Sequence, residues 1–363
     1  MPFDPHPPPP ARRGPASQGG VPAPPRTERL VAVWLLAVAA MVWAMIALGG
    51  ATRLSGSGLS IMEWAPLSGT LPPLSDAEWQ RLYDLYRTIP QYRIVNQGFG
   101  LEGFKEIFWL EYLHRLWGRL IGLVFALPLA WFWLRGRIPR HLRPRLLLLL
   151  ALGGAQGAVG WFMVASGFEA GRIAVSPYRL VVHLALAFLL FAMLLDTALG
   201  LLRLPAAGAP RGVWRGLAAA LALAVLTMLA GGFVAGIRAG FTYNTFPLMD
   251  GQLVPAGYFA ASPWWANLTE QIESVQFHHR ILATLALAGV LAASAGAWRV
   301  PRLRPFALLF ALSVLVQFGL GVATLLLVVP QGLGTLHQAM AVGVLAAGML
   351  ALDVARVPDA AGG

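Results

Sequence analysis

Residues 30–49 read Leu-Val-Ala-Val-Trp-Leu-Leu-Ala-Val-Ala-Ala-Met-Val-Trp-Ala-Met-Ile-Ala-Leu-Gly, a run without a single charged side chain. At about 1.5 Å per residue a helix of this length crosses roughly 30 Å of hydrocarbon, and a helix leaves no backbone group unpaired there. Ala37 to Ala40 also resembles the small-residue cleavage site of a secretory signal. The run continues to Ile46 without a polar break, which suits a full span better than a signal core. Before it, residues 1–29 carry the run Pro7 to Pro10 with Arg12, Arg13, Arg26 and Arg29, and read as a disordered basic tail that stays in the cytoplasm.

The whole chain has the same character. Of 363 residues, 57% are hydrophobic and 12% charged, more apolar than the surface of a soluble domain tolerates. The net charge of +11 gathers in short arginine clusters between apolar runs and not on one basic face, which speaks against nucleic acid and for topology signals. There is no cysteine, so disulfides, thiolate metal sites, iron–sulfur clusters and cysteine nucleophiles are excluded. Redox chemistry therefore requires a bound cofactor.

Seven further apolar stretches follow, near 108–134, 145–165, 179–202, 213–236, 275–298, 305–329 and 333–354, giving eight spans. Arg135, Arg137, Arg140, Arg143 and Arg145 follow the second span, Arg203, Arg211 and Arg215 the fourth, and Arg299, Arg302 and Arg304 the sixth. The positive-inside rule puts these connections, both termini and a short tail at 355–363 in the cytoplasm. The long connections 50–107 and 237–274 fall outside, with Trp131, Trp133, Trp264 and Trp265 at interfacial positions.

The spans repeat. Gly49-Gly50 ends the first and Gly231-Gly232 approaches the end of the fifth, each before a long outer connection. The second span opens on Glu111-Tyr112-Leu113-His114-Arg115, the sixth on Gln276-Phe277-His278-His279-Arg280. The third and seventh carry Gln156-Gly157 and Gln317 with Gly319, and the fourth and eighth carry His183 and His337. The expected fold is all-α and polytopic: two tandem four-helix bundles, 30–204 and 205–354, related by a pseudo-twofold along the membrane normal, since an even number of spans per copy preserves orientation.

His114, His183, His279 and His337 each fall about four to seven residues inside the outer end of an even-numbered span, a shared depth of about 6 to 10 Å. An imidazole at that depth needs a partner or a cavity. Interhelical hydrogen bonding is one reading. The other is axial ligation of haem iron by facing imidazoles, which suits a bundle core. Zinc fits less well, because no carboxylate is repeated beside all four histidines. Arg115 and Arg280 can pair with haem propionates or simply snorkel to the interface. The halves differ three residues before the first histidine, where Glu111 stands against Gln276. A carboxylate there can relay protons or stabilise positive charge, or else only pair with Arg115 or Lys105. The exchange Glu111→Gln hardly changes volume, so folding and haem retention are expected to survive it. His278 is one residue off the repeated register.

These segments resemble the haem A synthase family, over about residues 30–352. The resemblance lies in Gly49 to Gly58 with Leu59, Ser60, Glu63, Trp64, Pro66, Gly69 and Pro72, in Glu111 to Arg115, in Phe241 to Gly251 with Asn244, Thr245, Pro247 and Met249, in Gln276 to Arg280, and in Leu336 to Gln338. It implies an oxidoreductase of the bacterial inner membrane that oxidises a methyl group of haem O, through the alcohol, to the formyl group of haem A for cytochrome oxidase. It further implies that His279 and His337 hold a permanent haem b that passes electrons, that His114 and His183 flank the substrate haem O, and that Glu111 is the essential acid. Haem O synthase and an electron donor are the partners it raises, beside membrane lipid and haem itself. The chain lacks the loop cysteine pair of one subgroup and resembles the cysteine-free type of proteobacteria and mitochondria. Two rivals are a di-haem cytochrome b that only transfers electrons, which needs no Glu111 asymmetry, and a transporter, whose helices usually break at the midplane.

Overall fold

The computed structural model describes residues 25–357, so most of both tails, with His6, lies outside the described residues. Eight helices are long and apolar enough to cross a membrane. They are α1 (Arg26–Leu54), α2 (Leu101–Leu134), α3 (Arg143–Ala165), α4 (Pro177–Leu202), α5 (Arg211–Gly236), α6 (Ile272–Ala297), α7 (Arg304–Leu326) and α8 (Gln331–Ala355). Among the described residues there is no strand beyond one isolated bridge, Met249 to Gln252. The molecule is an all-α multi-pass membrane protein. Proline opens α3, α4 and α7 within their first turns, where its missing N–H costs nothing, and stands just before α1, α5 and α8.

Helices α1 to α4 pack as a ring in which each touches the next and α4 closes on α1, and α5 to α8 do the same. The rings meet through α1 with α8, α4 with α5, and α4 with α8, a pattern unchanged when the two halves are exchanged. One apolar core runs through both, including Leu35, Val38, Phe191, Leu217, Phe310 and Val342. Across the seam Trp43 Nε1 donates to the Ala339 carbonyl at 2.7 Å and Gln338 Nε2 to that of Ile46 at 2.8 Å.

The second helix departs from expectation by starting at Leu101 and not near 108. Glu102, Lys105 and Glu106 break the apolar pattern, yet the helix continues because its other face is buried. Phe104, Phe108 and Tyr112 join Leu59, Leu82, Tyr83 and Tyr86 in a second small core. The first long connection is thus folded, not loose. Its helix Asp76–Tyr86 is capped by Ser75, which accepts from the Glu78 N–H at 3.2 Å in an S-x-x-E arrangement. Outside the membrane, Arg81 pairs with Glu63 at 2.9 Å and holds that carboxyl below the usual range. The seventh helix ends at Leu326, three residues early, where Val328 and Val329 take positive φ and turn the chain into Pro330.

Candidate functional site

Each of the four histidines rests on a glycine of the preceding helix. A β-carbon on Gly49 would lie 3.1 Å from His114 Cε1, on Gly160 2.8 Å from His183 Cε1, on Gly231 3.0 Å from His279 Cε1, and on Gly321 2.9 Å from His337 Cε1. Any larger residue would displace the ring. The third-helix partner is therefore Gly160, matched by Gly321, each four residues after the repeated glutamine, Gln156 or Gln317. The two Gly-Gly pairs are also two-faced. Gly50 makes room for Gln338 across the seam, at 2.8 Å, and Gly232 for Val181 across the same seam, at 3.0 Å. Each pair thus seats a histidine of its own half and a helix of the other.

The four rings share one polar environment. Each Nδ1 is buried without a well-formed hydrogen bond, and the residues as a whole are only half-buried, so part of each ring remains open. His114 and His183 stand on the second and fourth helices of one ring, His279 and His337 on the equivalent helices of the other, so each half carries one pair of imidazoles. Among the described residues no three histidine, aspartate or glutamate side chains gather to hold a bare ion. Two imidazoles alone suit an iron whose other positions come from a macrocycle, so the donor sets fit haem.

Glu111 is 2% exposed and fully engaged. Its Oε1 accepts from Arg115 Nε at 3.0 Å and Nη2 at 2.7 Å, and its Oε2 from Ser60 Oγ at 2.7 Å and the Ile61 N–H at 2.9 Å. Arg115 also donates to the carbonyls of Ile61 and Glu63, at 2.6 and 2.7 Å, and lies over the Trp161 ring. In the other half, Arg280 donates to Gln276 Oε1 at 3.0 Å and to the carbonyls of Tyr243 and Thr245, at 2.5 and 2.8 Å. Both arginines clamp a long connection to the helix that bears the first histidine. Lys105 pairs instead with Glu102, at 2.8 Å.

The polarity of each connection explains the exchange between Glu111 and Gln276. The first connection presents donors, the Ser60 hydroxyl and the Ile61 N–H, and requires an acceptor. The second presents the carbonyls of Ala239 and Thr242, which accept from Gln276 Nε2 at 2.7 and 2.5 Å and require a donor. The residues before each helix carry this signal, since Ser60 is visible in the sequence, but the direction of a backbone group is not. His278 stands apart from both pairs, its Nε2 bonded to Tyr258 Oη at 3.1 Å.

The fold and these four residues define an eight-span helical membrane protein with a pair of imidazoles in each half. Residues 32–349 match the model of the cytochrome oxidase assembly protein family, and the chain belongs to that family. It is 55% identical over 334 residues to a protein named heme A synthase from Granulibacter bethesdensis, covering 91% of this chain and 88% of that one. It is 50% identical to the heme A synthase of Rhodospirillum centenum, covering 91% and 90%, and 49% identical to that of Chelativorans sp., covering 88% and 90%.

Proposed function

We propose that this protein is a haem A synthase, an oxidoreductase that converts the haem O methyl group to the formyl group of haem A during cytochrome oxidase assembly. The observation that carries this is the fourfold seat of imidazole on glycine, in two pairs, within a chain about half identical to proteins of that name. His279 and His337 hold haem b in the second half, which supplies a one-electron redox centre when bound. His114 and His183 hold the substrate in the first half. Glu111 places a carboxyl group about one helical turn before His114, and Arg115 orients it. The first half is favoured for the substrate because it alone has a carboxylate three residues before its first histidine, where the second half has Gln276.

Haem extracted from purified protein and identified by mass tests the reaction. Haem b together with haem O, its alcohol or haem A is the expected result. Haem b alone, from cells able to make haem O, overturns it in favour of a cytochrome that only transfers electrons.

The arginine clusters support a topology with the connections after α2, α4 and α6 in the cytoplasm of a bacterium and the four histidines toward the outer face of the inner membrane. Since the chain has no cysteine, Asp76→Cys and Arg140→Cys can be read cleanly. An impermeant thiol reagent added to intact cells is expected to label position 76 and not position 140. The reverse pattern inverts the topology.

A further inference from the structure

The two halves differ along the third helix of each. Aligning Gly160 with Gly321, the two residues on which His183 and His337 rest, sets Gly153 against Val314 and Gly157 against Phe318. Gly153, Gly157 and Gly160 are spaced four and three apart and form one stripe of α3. A β-carbon on Gly153 or Gly157 would meet no atom within 4 Å, so the space beside them is open. In the second half the same space is filled: Val314 is 5% exposed, and the Phe318 ring packs edge-on against Phe246, 6.0 Å between centroids. The seam between α2 and α3 is correspondingly much shorter than that between α6 and α7.

A polar atom independently marks the stripe as part of a ligand site. His183 presses on Gly160, and its Nδ1 is buried with no partner. Above it the Trp161 ring stacks on Trp64 of the first long connection, with centroids 6.2 Å apart and planes within 7°. The opening therefore leads the other way, from the depth of the histidines toward the bilayer midplane, over about 10 Å between Gly160 and Gly153. Haem O and haem b share a macrocycle but differ in one substituent, a long farnesyl-derived chain that only haem O carries. A chain of that kind needs an apolar channel beside the iron site, running away from the propionates and the aqueous face.

We infer that the stripe Gly153, Gly157, Gly160 on α3 is the groove that receives the farnesyl-derived tail of haem O, and that Val314 and Phe318 close the equivalent space to tailed haem in the second half. This rests on the reading that the first half takes the substrate. It adds what selects haem O there: absent side chains, not an added contact.

The test is a spectroscopic titration of the purified full-length protein, carrying its resident haem, with haem O and separately with protohaem, which lacks the tail. Gly157→Phe, which copies the second half, is expected to weaken haem O by on the order of ten- to a hundredfold, the usual cost of forcing volume into an occupied space. Protohaem should change by less than about twofold, since the macrocycle site is untouched. Unchanged resident haem shows that the fold is intact. If Gly157→Phe does not retain resident haem, Gly153→Val is read in its place with the same expectation. Equal weakening of both haems, or of neither, overturns the groove. Wild-type protein that binds neither added haem instead overturns the substrate reading on which the groove rests.

Discussion

Replacing His279 or His337 with Leu is expected to strip the purified protein of haem b down to the background of the preparation. Each ring has a buried nitrogen without a well-formed hydrogen bond and a glycine behind it, so under the proposed role its removal deletes an axial ligand at little cost to the packing of the bundle. Leu is apolar and of similar bulk, so the helices should still insert and pack. The substitution that separates ligation from packing is His337→Met. A thioether still binds haem iron, and His/Met coordination raises the reduction potential relative to paired imidazoles. Haem b retained in His337→Met with a raised midpoint potential, but lost in His337→Leu, is the expected pattern. His278→Leu serves as the control: its ring is bonded to Tyr258 and turned away from the pair, so haem b should stay in place. Full low-spin haem b in both leucine variants would remove these two residues from the iron.

Most of the architecture was legible because hydrocarbon imposes a simple rule on sequence. Eight apolar runs became eight helices, and the four histidines could be placed at one depth by counting residues. The start of α2 was missed because its first two turns lie against the folded connection and not in lipid, and the aromatic face there is masked by Glu102, Lys105 and Glu106. The Gly-Gly repeats were visible, but not that the first glycine of each faces a histidine and the second faces the opposite half. That distinction depends on where a Cβ would point in three dimensions. The arginines following His114 and His279 were read as partners for propionates or as snorkelling side chains. Their guanidinium groups bind backbone carbonyls of the long connections, contacts made with groups that every sequence contains and none advertises. The open flank of α3 emerged only in three dimensions, because the sequence sets Gly157 against Phe318 but does not show that the space beside Gly157 is empty.

Glu111→Gln is expected to lower the ratio of haem A to haem O in membranes by on the order of 10² to 10⁴, the range for loss of a positioned acid or base, while haem b is retained in the other half. The structure also changes what else this variant does. Near-identity of volume predicts that folding survives the exchange, but the carboxylate accepts four hydrogen bonds, two on each oxygen. Whichever way the amide is turned, its NH₂ group meets two donors: Arg115, or Ser60 and Ile61. A buried donor left unpaired costs about 1–3 kcal/mol, so residues 60–63 should loosen and become more accessible to protease even though the helices remain intact. Loss of activity alone therefore does not separate chemistry from clamping. Ser60→Ala does, because it removes one donor at a cost of about 0.5–1.5 kcal/mol and leaves the charge in place. If the negative charge beside His114 serves the oxidation, Ser60→Ala should keep haem A within roughly tenfold of wild type, while Glu111→Gln accumulates haem O or its alcohol. If the two variants lose haem A to the same extent, Glu111 acts by holding the connection over the site, and its role is positioning. A wild-type ratio in Glu111→Gln would exclude both, leaving the carboxylate as a partner for Arg115 and nothing more.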